Sequence, residues 1–152
     1  MSIDTYGASL EAQTNTILKQ LLGSLELEVM GFMWQMKEST VQEVTDAINR
    51  KRSERRAAYT TIMTVLVHLV DKGLLTRIKE GKKYRYKVAL TRQKFIQESA
   101  KRRLQDLIGD FGDIAIAQFL EEARNIGDDR LERLRNLIQD RSHESNTAEQ
   151  NL

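Results

Sequence analysis

The sequence predicts a mainly helical chain, with a helix-turn-helix domain closed by a short β-hairpin and then three amphipathic helices. Three observations predict it. Residues 59–70 place apolar side chains at Ile62, Val65, Leu66, Leu69 and Val70, the one-face spacing of a helix. Gly73 stops that helix, and the next segment, Leu75 to Val88, turns at Glu80-Gly81-Lys82-Lys83. In its second arm Tyr84, Tyr86 and Val88 alternate with Arg85 and Lys87, the period of a half-buried strand. A helix, a glycine and a basic hairpin make up the winged-helix plan.

Taken in order, residues 1–23 form an N-terminal extension. Residues 1–15 are polar and unpatterned and are expected to be loose, while Ile17, Leu18, Leu21 and Leu22 mark a short amphipathic turn ending at Gly23. Ser24 is expected to cap the next helix, with Glu26 and Glu28 in its first turn. That helix has two apolar stripes, Leu25, Val29, Phe32, Met33 and Met36, and Leu27, Met30 and Trp34. A helix apolar on two faces is buried between neighbours, so Trp34 reads as core and not as a ligand platform. Thr40-Val41-Gln42-Glu43 is a capping box, and the short helix it opens points Val41, Val44, Ala47 and Ile48 inward. A polar, basic connection, residues 49–56, leads to the helix carrying Ile62 and Leu66. In a helix-turn-helix the second helix reads the major groove. The DNA-binding part is expected over residues 24–89.

Residues 90–141 are expected to be dimerisation helices. Thr91 can cap a helix in which Ile96, Ala100, Leu104, Leu107 and Ile108 keep helical spacing, ending near Gly109. Asp113 can open a second, with Ile116, Phe119, Leu120 and Ala123, and Asp128 or Asp129 a third, with Leu131, Leu134, Leu137 and Ile138. About 50 residues bury little apolar area alone, so two chains are expected to pool these helices. A monomeric cap is the alternative. Residues 142–152 are polar and read as a disordered tail.

The net charge of +2 says little, but its distribution says more. Residues 1–49 carry 2 basic and 7 acidic groups, residues 50–87 carry 12 and 3, and residues 88–152 carry 10 and 12. The middle segment therefore holds net +9 on the candidate helix and hairpin, the footprint of a polyanion partner. The outward face of the helix carries Thr60, Thr64, Val67 and His68, with no acid before Asp71. The candidate DNA-binding set is Arg55, Arg56, Tyr59, Thr60, Thr61, Met63, Thr64, Val67, His68, Lys82, Lys83 and Arg85.

No run approaches 18 apolar residues and no charged-then-apolar leader opens the 152-residue chain, so a cytoplasmic protein without membrane insertion is expected. With no Cys there are no disulfides and no thiolate metal sites. The two histidines, His68 and His143, fall on the presumed DNA face and in the tail, no catalytic motif occurs, and Glu121 and Glu122 have no accompanying His. No enzyme activity, cofactor or metal is assigned.

Several segments together carry a resemblance. Leu25 to Met30, Thr40 to Val44, Tyr59 to Leu66, Leu69 to Leu74 and Gly81 to Tyr86 are similar to the penicillinase-repressor family, the BlaI, MecI and CopY repressors. The likeness covers roughly residues 24–141. It implies a homodimeric winged-helix repressor on a palindromic double-stranded operator. His68 stands where the family usually has Arg, which implies a different base preference. In the BlaI and MecI branch a membrane-linked metalloprotease signal leads to cleavage of the repressor at an Asn-Phe bond, and the matching pair here is Gln118-Phe119. The CopY branch senses copper through cysteines, which this chain lacks. Two other readings remain: a winged-helix protein-interaction module, and a sensor holding a small molecule between the DNA-binding part and the later helices. The +9 segment favours DNA over the first, and the second requires an apolar pocket.

Overall fold

The computed structural model describes residues 3–133, 135 and 136, with side chains from residue 11 onward. The chain divides after Lys101 into two compact units. The first holds α1 (Ile3–Leu21), α2 (Ser24–Met36), β1 (Glu38–Thr40), α3 (Val41–Arg50), α4 (Tyr59–Asp71), β2 (Leu75–Glu80) and β3 (Lys83–Val88). The helix α5 (Arg92–Phe111) begins in the first unit and ends in the second, which also holds α6 (Asp113–Arg124). The mainly α class with a small wing is what the sequence predicts.

The core of the first unit is aliphatic. Val29, Met30 and Met33 of α2, Val44 of α3, Ile62, Leu66 and Leu69 of α4, and Leu74 and Leu75 are sealed from solvent. Each such burial contributes about 1.5–3 kcal/mol relative to exposure. Met36, placed in the apolar stripe of α2, is instead exposed, because α2 ends there and the chain turns into β1. Trp34 is buried, and its indole N–H donates to the Leu90 carbonyl at 3.0 Å. The Arg92 guanidinium lies 5.0 Å from its ring centroid.

Residues 3–15 are helical, not loose. The helix carries no periodic signal in its first half, but its end is anchored by Leu18 and Leu22, both buried in the core. Gly23, not Ser24, is the N-cap of α2. The Glu26 carboxylate accepts the Gly23 N–H at 2.9 Å, so Ser24 is already helical. The Thr40 box forms as predicted, with Glu43 N–H donating to the Thr40 hydroxyl at 3.3 Å and Thr40 N–H donating back to the Glu43 carboxylate at 2.7 Å.

The sheet has three antiparallel strands in the order β1-β3-β2. The sequence predicts only the hairpin. Strand β1 adds itself by pairing Glu38, Ser39 and Thr40 with Lys87, Tyr86 and Arg85. Lys37 makes the turn into it with φ 70, a region costly for a residue with a Cβ. The hairpin closes on Gly81 and Lys82 between the paired Glu80 and Lys83. Gly81 has φ 62 and Lys82 has no positive φ, the pattern of a type II′ turn.

In the second unit, α5 runs through Gly109 to Phe111, and the chain breaks at Gly112, where φ is 57. A single glycine costs a helix only about 1 kcal/mol, so it does not force a stop. The Lys94 N–H donates to the Thr91 hydroxyl at 3.2 Å, the cap expected there. Of α6, only Ala115 is buried, while Ile114, Ile116, Phe119 and Leu120 are exposed. Residues 128–133 are helical, with Leu131 half-buried. Leu134, Leu137, Ile138, His143 and the tail from Ser142 lie outside the described residues. Among the described residues no helix is long and apolar enough to cross a membrane.

Candidate nucleic-acid interface

The interface is built on α4. Its inner edge, Ile62, Leu66 and Leu69, locks it against the core. Tyr59, Thr60, Thr61, Met63, Thr64 and His68 are exposed, and Val67 is half-buried. The 13-residue helix has no acid in its first turn, and its N-cap, Ala58, offers no side chain. The first amides thus lack a side-chain acceptor and form the positive end of the helix dipole. The Thr64 hydroxyl donates to the Thr60 carbonyl at 3.0 Å, a weak bond that a base edge can replace.

The C-terminal end of α4 is fixed by its backbone and by an ion pair to α2. Gly73, at φ 78, donates to the Val70 carbonyl at 2.9 Å, and Leu74 donates to the Leu69 carbonyl at 3.0 Å. These are the two bonds of a Schellman motif. The Lys72 ammonium pairs with Glu26 at 2.8 Å, tying this end to α2. Burial pushes the Glu26 carboxyl up, but hydrogen bonds from Lys72 and from the Gly23 N–H outweigh it and leave it below its ordinary value.

Arg55 and Arg56, both in the candidate set, stand exposed just ahead of α4. The loop carrying them is held at both ends. The Asn49 side chain accepts the Ala57 N–H at 2.7 Å and donates to the Ala57 carbonyl at 3.0 Å. Arg52 pairs with Glu28 of α2 and donates to the Arg55 carbonyl at 3.3 Å. Lys82 and Lys83 are exposed at the wing, with no carboxylate within ion-pair reach among the described residues.

Arg85 differs from them. Its guanidinium is 3.1 Å from Glu80 and 3.9 Å from Glu43. Hydrogen bonding and charge from Glu80, then the Glu43 charge, raise its pKa further. A member of the candidate DNA-binding set, Arg85 already has two carboxylates, and it ties the wing to α3. The Glu43 carboxyl is held below its ordinary value by the Thr40 N–H first and the Ser39 hydroxyl second, with Arg85 adding to them. Two residues were not found from the sequence: Asn49, whose only signal is an amide at a helix end, and Arg77, whose guanidinium lies 4.6 Å from the Tyr84 ring centroid.

In the second unit, Leu104, Leu107, Ile108, Ile116, Phe119 and Leu120 are all exposed. Gln118 and Phe119 fall in the middle of α6. A groove of about 480 Å³ is lined by Leu107, Phe111, Ile114, Ala115, Gln118, Phe119 and Glu122. Among the described residues no group of three His, Cys, Asp or Glu side chains is placed to hold a metal ion.

The sequence model of the penicillinase repressor family matches residues 22–140. The chain belongs to that family. The penicillinase repressors are transcriptional repressors and not enzymes. Relatives include the transcriptional regulator BlaI of Mycobacterium tuberculosis, 41% identical over 66 residues, which cover 43% of this chain and 46% of that one. The chain thus spans about half the length of the BlaI relatives it matches. The methicillin resistance regulatory protein MecI of Mammaliicoccus sciuri is 24% identical over 117 residues, 77% of this chain and 92% of that one. Among solved structures, the DNA-binding domain of the repressor BlaI aligns at 28% identity and a TM-score of 0.41, covering 46% of this chain and 82% of that one.

Proposed function

We propose that this penicillinase-repressor family member is a cytoplasmic, homodimeric repressor that binds a two-fold DNA operator and is released by cleavage in its later helices. The observation that carries the DNA reading is the acid-free outward face of α4, flanked by Arg55 and Arg56 at one end and accompanied by Lys82 and Lys83 on the wing. Thr60, Thr64 and His68 are assigned to bases, and the lysines to phosphates or the minor groove. Dimerisation is supported by the exposed apolar side chains of α5 and α6, among them Leu104, Leu107, Phe111, Ile114, Phe119 and Leu120, which a second copy could cover. A cut between Gln118 and Phe119 would divide α6 and reduce that surface. A membrane-linked metalloprotease is the proposed upstream partner, on the strength of the family.

The DNA reading is tested by binding of the full chain across a salt series. With about 6–10 phosphates neutralised per dimer, log affinity falls against log salt with a slope of about −5 to −9. Thr64→Ala and His68→Ala change which duplexes are preferred. Lys83→Ala weakens all duplexes alike and makes the slope shallower by about one. A flat salt response, or equal binding of scrambled duplexes, overturns the reading.

A further inference from the structure

The connection between α3 and α4 is both a strongly charged and a tightly held segment of the first unit. Residues 50–56 carry Arg50, Lys51, Arg52, Arg55 and Arg56 against the single acid Glu54. Five like charges in seven residues repel one another and favour a spread, mobile loop. The loop is nevertheless drawn closed at its base. Asn49, one residue before the end of α3, uses both halves of its amide on one residue, Ala57: its oxygen accepts the N–H at 2.7 Å and its nitrogen donates to the C=O at 3.0 Å. The pairing is that of a strand bridge, made by a side chain. Residue 58 is the N-cap of α4, so the bridge also sets where α4 begins.

The two ends of the bridge are half-buried, while Arg55 and Arg56 inside the loop are exposed. Among the described residues Arg52 is the loop cation with an ion pair, to Glu28, and it also donates to the Arg55 carbonyl at 3.3 Å within the loop. The remaining cations are thus held on a closed loop beside the uncapped end of α4, and the ordering cost is met before any DNA arrives.

We propose that Asn49 is a positioning residue for DNA binding, whose bidentate bridge to Ala57 holds the Arg50–Arg56 loop so that Arg55 and Arg56 meet phosphates together with α4. The inference rests on the DNA reading above. It adds that a residue which never touches DNA sets the number of phosphates neutralised.

The test is a double-mutant cycle in the full chain. The probe is a mixed-sequence duplex of about 30 base pairs, roughly three helical turns, so no operator need be known. Asn49→Ala weakens binding about 5- to 10-fold, and the salt slope becomes shallower by about one to two, as each lost phosphate contact removes about 0.9. Arg55→Gln with Arg56→Gln gives a similar loss. Adding Asn49→Ala to that pair gives almost no further loss, because its effect runs through the two arginines. Losses that multiply, or a slope unchanged by Asn49→Ala, overturn the proposal. If Asn49→Ala lowers the melting temperature too far to be assayed, the arginine pair decides by itself: these exposed changes leave the fold intact, and wild-type binding by that variant also overturns it. Failure of the wild type to bind the duplex even at low salt, where phosphate contacts alone hold a DNA-binding protein, overturns the DNA reading, whereas wild-type binding left unchanged by Asn49→Ala overturns only the positioning role.

Discussion

Glu43→Gln isolates what one carboxylate does at the junction of helix, sheet and wing. Glu43 accepts the Thr40 N–H at 2.7 Å and the Ser39 hydroxyl at 3.0 Å, and stands 3.9 Å from Arg85. Glutamine keeps the shape and one acceptor oxygen but removes the charge. A hydrogen bond to a charged group contributes about 1.5–3 kcal/mol, against about 0.5–1.5 for a neutral one. The Glu43 side chain is 55% exposed, so solvent screening trims that difference, and a net loss of about 1 kcal/mol is expected at pH 7. For a domain of about 100 residues this lowers the melting temperature by roughly 4–8 °C. The pH dependence is fixed in sign. The folded-state pKa lies below the ordinary value of 4.5, so the stabilisation is fully present above that value and is lost as pH falls through the folded pKa. Glutamine does not titrate, so the gap between the two proteins closes in acid. Urea denaturation followed by circular dichroism, at one fixed protein concentration, measures the gap at pH 7 and at about pH 3. A gap of equal size at both pH values would refute the assignment of the charge to this network.

Two further outcomes are expected. A chain truncated after Gln118 sediments as a monomer at micromolar concentration and loses most of its affinity for a two-fold site, because one half-site supplies roughly half the binding energy; if it stays dimeric and bound, the later helices are not the interface. Lys37→Gly relieves the φ of 70 at the turn into β1 and raises stability by about 0.5–1 kcal/mol in the same urea assay, whereas unchanged or lower stability shows that the turn is not strained.

The elements read correctly from the sequence are those whose signal is local. The 3.6-residue period of Ile62, Leu66 and Leu69, the Thr40–Glu43 box and the alternation around Tyr86 all reappear in the fold. Strand β1 was illegible because Glu38-Ser39-Thr40 has no alternation worth reading in three residues and exists only by pairing with β3. Of the helix α1 only the last turn, from Ile17 on, was legible; the earlier residues carry no periodic signal, and the anchor at Leu18 and Leu22 is tertiary. Of the candidate site, what the sequence allowed was the exposure of most of its members, with Val67 and Arg85 half-buried. What escaped was partnership. Nothing along the chain shows that Arg85 is taken by Glu80 and Glu43 while Lys83, two residues before it, is free of them. The Asn49–Ala57 bridge, eight residues apart across a loop, is likewise set by the fold.

The two edges of α4 answer to separate demands. Ile62, Leu66 and Leu69 are wholly buried, and changing them costs about 2–5 kcal/mol each. Thr60, Thr64 and His68 touch none of that core, and exchanges at such exposed positions stay within about 0.5 kcal/mol. With these three side chains reading bases as proposed, a lineage carrying this scaffold can rewrite which sequence it recognises, one outward side chain at a time, without passing through an unfolded ancestor. Duplicated copies could part company over their targets while remaining interchangeable in architecture.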